Sequence, residues 1–130
     1  MNTGDITAIA TAFFSNAYGV QARANAGNSP ISINNSCNLL VQGSTDASGI
    51  FALSESVAGG NGVSVENSGD INVTGIYTVR AIVATGVGPG SATSVLNSGD
   101  IVVASTGLPG HAGEGHLRRD QWRIQPARDL

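Results

Sequence analysis

One string recurs along this chain and restricts its fold more than any other feature. Asn-Ser-Gly-Asp-Ile stands at Asn67–Ile71 and again at Asn97–Ile101. A near copy, Asn-Thr-Gly-Asp-Ile, occupies Asn2–Ile6, and a degenerate one, Asn-Ser-Cys-Asn-Leu, occupies Asn35–Leu39. The leading asparagines are 33, 32 and 30 residues apart. A period of this length marks an array of units that cannot each bury an apolar face alone and must stack to do so.

Aligning the units produces columns. Ile6, Leu39, Ile71 and Ile101 share one, and Ala8, Val41, Val73 and Val103 share the column two residues on. Val20, Ile50 and Ile82 align, followed two residues later by Ala22, Ala52 and Ala84. Ile31, Val63 and Thr93 precede Ile33, Val65 and Val95 in the same way. Each unit therefore carries three short segments with apolar residues at i and i+2. That is the period of a strand, not of a helix. Gly-, Asn- and Ser-rich stretches between them supply turns.

The expected fold is all-β: a short parallel β-solenoid, right-handed and triangular in section, of about four turns with three strands each. Equivalent residues would lie one above another, about 4.8 Å apart. The composition agrees. The chain has 16 Ala and 12 Val against 3 Phe, 1 Trp and 1 Met among its 130 residues, and a narrow coil has no room for rings. The asparagine column (Asn2, Asn35, Asn67, Asn97) reads as structural. Asn tolerates left-handed backbone angles at a tight corner, and stacked amides can bond from turn to turn. The longest connection, Ile9–Gly19, holds Phe13, Phe14 and Tyr18, either folded back over the coil or exposed for a partner.

Composition also excludes several classes. Charged residues at 12% are too few for a disordered chain or a coiled coil. A net charge of −3 argues against neutralising many phosphates, so no nucleic-acid partner is expected. No run of about 18 apolar residues is present, so no membrane insertion by this segment is expected. The N-terminus shows no basic region followed by an apolar stretch, so no signal peptide is read there. The single cysteine, Cys37, cannot form an internal disulfide; it reads as a small residue tolerated in a glycine column.

Asn-Ser-Gly-Asp-Ile, then Gly-Ile-Phe-Ala at Gly49–Ala52 and Gly-Gly-Asn-Gly-Val-Ser-Val-Glu-Asn-Ser-Gly at Gly59–Gly69, resembles the repeats of Gram-negative autotransporter passenger domains and related β-helical adhesins. The resemblance covers residues 2–106. It implies a fragment of a longer exported chain, on the cell surface or extracellular, with a signal peptide upstream and an outer-membrane barrel downstream. It carries no catalytic motif.

The pattern divides the chain into a repeat region, 1–106, and a tail, 107–130. Two arginines and six acidic residues precede Gly107, whereas four arginines and three acids come after it, together with the only Trp. The tail reads as a C-terminal cap, as a short helix over Leu117–Gln125 stopped by Pro126, or as an accidental extension, the reading preferred.

Each candidate site has a plainer alternative. Asp5, Asp70 and Asp100, interrupted by Asn38, form a column that reads as a solvated turn rather than a Ca²⁺ site. His111, Glu114 and His116 are separated by glycines that disfavour the helix a zinc site of this spacing wants. Gly86, Gly88 and Gly90 surround a proline and precede no helix, unlike a dinucleotide loop. Arg118, Arg119, Trp122 and Arg123 are diluted by Asp120 and Asp129. Thr7 and Thr74 do not extend into the rows an ice-binding face needs. No catalytic, cofactor-binding or metal-binding residue is therefore assigned, and no cofactor. The expected role is a structural stalk segment of a surface adhesin without catalysis. One alternative is a self-associating module that forms dimers or filaments through uncapped ends. Another is a carbohydrate-binding or carbohydrate-cleaving β-helix with an aromatic-lined groove.

Overall fold

The computed structural model describes residues 4–26, 28–55 and 59–107. Ten strands and no helix occupy them. The first turn comprises β1 (Ile6–Ile9), β2 (Ala17–Ala24) and β3 (Ile31–Asn35). The second comprises β4 (Leu39–Gln42), β5 (Asp46–Glu55) and β6 (Val63–Asn67). The third comprises β7 (Ile71–Gly75), β8 (Thr78–Val87) and β9 (Thr93–Asn97), and β10 (Ile101–Ser105) opens a fourth.

Strands stack into three parallel sheets, β1-β4-β7-β10, β2-β5-β8 and β3-β6-β9. The described residues form a β-solenoid of three complete turns and one further strand. Registers match the sequence columns. Ile6, Leu39, Ile71 and Ile101 are successive partners in the first sheet. Val20, Ile50 and Ile82 are partners in the second, as are Ile33, Val65 and Val95 in the third. The inward residues of the middle turn and of β7 above it are fully enclosed: Leu39, Val41, Ile50, Ala52, Val63, Val65, Ile71 and Val73 lie in the core. Each is small or medium-sized because three sheets meeting around one axis leave no more space.

The middle segment of each turn is longer than the alternation of apolar residues predicts. β5 and β8 each run for ten residues, and β2 for eight. The cause is a change of phase within the strand. Ala47 is buried, then Ser48, Gly49 and Ile50 are buried in succession, before alternation resumes at Ala52 and Ser54. Cα pairing skips Gly19, Gly49 and Ala81 at the same place. The strand bends there and continues on a new face, and the register is kept because all three strands bend at the same level. Gly49 permits it: a Cβ at that position would lie 2.6 Å from the carbonyl oxygen of Ala81 and 2.6 Å from the Ile71 side chain.

The asparagine column forms a buried ladder. Asn35 Nδ2 donates to Asn67 Oδ1 at 2.7 Å, and Asn67 Nδ2 donates to Asn97 Oδ1 at 2.7 Å. Each amide nitrogen also donates to a carbonyl two residues ahead, that of Cys37, Gly69 or Gly99. The expected left-handed backbone is not the reason for asparagine here. Among the described residues only Phe14 and Asn28 have positive φ without being glycine. Asn35, Asn67 and Asn97 end ordinary strands, and what selects them is a side chain that both donates and accepts. Asn2 lies outside the described residues, as do residues 108–130 and the readings placed on them.

Candidate functional site: an aromatic corner

Connections 10–16, 43–45 and 76–77 all join the first sheet to the second and stack on one corner of the coil. Thr45 N donates to Ser15 O at 3.0 Å, and Tyr77 N donates to Thr45 O at 3.2 Å. Side chains tie the lower two connections together. Ser15 N donates to Ser44 Oγ at 3.0 Å, Asp46 N to Asn16 Oδ1 at 3.4 Å, and the Ser44 hydroxyl to the Ala12 carbonyl.

This hydrogen-bonded corner holds rings out into solvent. Phe13 is 92% and Phe14 84% exposed, and Tyr77 is 54% exposed two turns above. Phe14 has φ of 61°, a conformation that a bulky residue rarely adopts. Beside the corner, Tyr18 meets Phe51 edge to face with ring centroids 5.6 Å apart. Phe13, Phe14 and Tyr77 thus share one corner, whereas the Tyr18–Phe51 pair joins the start of β2 to the middle of β5. The Thr45 hydroxyl sits beneath the surface there without a hydrogen-bond partner among the described residues.

The sequence places Phe13, Phe14 and Tyr18 together, but it confines the cluster to the first connection. Tyr77 and Phe51 come from other turns. Aligning the connections that leave the first strand of each unit, rather than the strands alone, brings Tyr77 to the same corner.

The remaining candidates have structural work. Asn38 N donates to Asp5 Oδ1 at 3.1 Å, Asp70 N to Asn38 Oδ1 at 3.0 Å, and Asp100 N to Asp70 Oδ1 at 2.9 Å. This exposed column is therefore a second ladder, in which each side chain receives the backbone N–H of the turn above. Among the described residues no group of three His, Cys, Asp or Glu is placed to hold a metal. Cys37 is buried in the column of Gly69 and Gly99. Gly88 and Gly90 turn the chain between β8 and β9 with φ of 109° and 71°. Thr7 stands in register with Leu40, and Thr74 with Gln42 and Ala104, so the two threonines belong to different rows. Arg23 and Glu55 pair at 3.7 Å across an exposed face, a contact of small energetic consequence. The His111, Glu114, His116, Arg118, Arg119, Trp122 and Arg123 readings fall outside the described residues.

No family model, no curated protein and no solved structure matches this chain.

Proposed function

We propose that the chain is a structural stalk segment of a surface-exposed or secreted, autotransporter-like adhesin, with no catalysis of its own. The observation that supports this is the pair of side-chain ladders running along the coil. The buried amides of Asn35, Asn67 and Asn97 and the exposed Asp5–Asn38–Asp70–Asp100 column fasten every turn to the next. Added to the backbone ladders of three sheets, they make a rod whose length grows by about 4.8 Å with each turn. A rod of repeated turns holds whatever it carries at a set distance. Antibodies raised against the chain should label intact cells that express it. Labelling only after permeabilisation would overturn the surface placement.

A second reading rests on the aromatic corner. Exposed Phe13, Phe14 and Tyr77 beside Ser15, Asn16 and Ser44 present flat apolar faces with polar edges, a chemistry that suits sugar rings. Titration of the chain with oligosaccharides, monitored by NMR of the aromatic protons, tests it. Shifts at these rings that vanish in Phe13→Ala and Phe14→Ala would support it, and unmoved rings would dismiss it.

A further inference from the structure

Two arginines stand in the repeat region against six acidic residues. Arg23 is held by Glu55 at 3.7 Å. Arg80 is exposed and has neither an ion pair nor a hydrogen bond with any described residue. Its place is set by the first half of β8. Ala17, Ala47 and Val79 are register partners that face the core. Strand alternation therefore turns the residues on either side of them outward. One outward row is Tyr18–Ser48–Arg80, and its neighbour runs from Asn16 through Asp46 to Thr78. Ser48 is small and 2% exposed, so Tyr18 and Arg80 flank a low middle rung with their backbones about 10 Å apart. Tyr18 is braced there by its edge-to-face contact with Phe51, and Tyr77 leads into the same row from the corner.

We propose that this patch binds a glycan whose sugar rings carry carboxylates, with Arg80 as the residue that reads the acid. The inference rests on the sugar-binding reading of the aromatic corner and names the class of sugar. Charge complementarity carries it. The guanidinium is a planar fork of N–H donors that matches a carboxylate, and in this acidic body Arg80 is the arginine left without a counter-ion among the described residues. The rings of Tyr18 and Tyr77, on either side of the row, give apolar faces with a polar tip to the body of a pyranose.

Asp46 narrows the class further. It lies one rung below Arg80 on the neighbouring row, and its carboxylate has no partner among the described residues. Ionised, it accepts from sugar hydroxyls and repels additional negative charge. The patch therefore suits a ring with one carboxylate and several hydroxyls, and opposes a densely sulfated chain. An acidic peptide offers the carboxylate but neither the ring nor the hydroxyls.

The experiment titrates the full chain at low ionic strength with tetramers of glucuronic acid and of glucose joined by the same linkage, following the rings of Tyr18 and Tyr77 by NMR. The acidic tetramer should bind about tenfold more tightly, the return expected of one charge-assisted pair. Arg80→Gln should erase that preference with an unchanged melting temperature, because the side chain is exposed. Arg80→Lys should keep part of it. Equal affinity for the two tetramers, or a preference indifferent to Arg80→Gln, would overturn the proposal and leave the sugar-binding reading standing. A sulfated tetramer or a tetraglutamate peptide that binds as tightly as the glucuronic acid tetramer would also overturn it, by showing a patch for any anion. Rings that neither tetramer moves would sink both.

Discussion

At the scale of single residues, the molecule depends on side chains that satisfy each other from turn to turn. Asn67 is the middle of the buried ladder: it accepts from Asn35 and donates to Asn97 and to the Gly69 carbonyl. Asn67→Ala removes these bonds and strands buried polar groups on both neighbours. It should cost about 2–4 kcal/mol in a urea unfolding curve, since each orphaned group carries its own desolvation penalty. Thr45→Val tests the opposite case. Its hydroxyl is enclosed and unpaired, so replacing it with a methyl of the same shape should raise the melting temperature, by the equivalent of about 1 kcal/mol. The glycine column is selective by height. A Cβ on Gly69 would lie 2.0 Å from the carbonyl oxygen of Cys37, backbone that cannot move without breaking the rung. A Cβ on Gly4 would meet nothing within 4 Å. Gly69→Ala should therefore be strongly destabilising and Gly4→Ala nearly neutral, as compared by thermal melts. The asparagine column was legible as structural from the sequence alone, with two physical bases offered for it, a left-handed corner and amides bonded from turn to turn. Only the structure selects the second, because hydrogen-bonding capacity and tolerance of a backbone angle come together in one residue name.

At the scale of elements, the sequence announced the existence, type and pairing of all ten strands. The i, i+2 columns translate directly into the partners Ile6–Leu39–Ile71–Ile101 and Val20–Ile50–Ile82. It understated the middle strands, because β5 changes face at Ser48 and Gly49 and the alternation that marks a strand is broken there. A phase slip looks like a strand end to any reading based on period. Burial within an element also varies with its height in the coil. Ile50→Ala, in a fully enclosed position, should cost about 2–5 kcal/mol. Val95→Ala should cost about 1 kcal/mol or less, because only part of its side chain leaves water. Unfolding of the two variants in parallel at low concentration measures the difference.

At the scale of the whole molecule, stability is graded by rung. Each turn touches only the turns above and below it, so among the described residues the middle turn has two complete supporting neighbours and the others fewer. Amide exchange should be slowest in β4, β5 and β6 and faster in β1 to β3. Hydrogen-exchange mass spectrometry reads this gradient. The sequence by itself determined the period, the three strands per unit, the inward columns and the asparagine column. All of these repeat, and a repeat states its own neighbours. The tertiary structure alone decided what occurs once per molecule. It bent β5 at Gly49, set Phe13, Phe14 and Tyr77 on one corner, and paired the rings of Tyr18 and Phe51 from successive turns. The reason is that a column records which residues stack, whereas the corners depend on where each unequal connection places the chain around the axis.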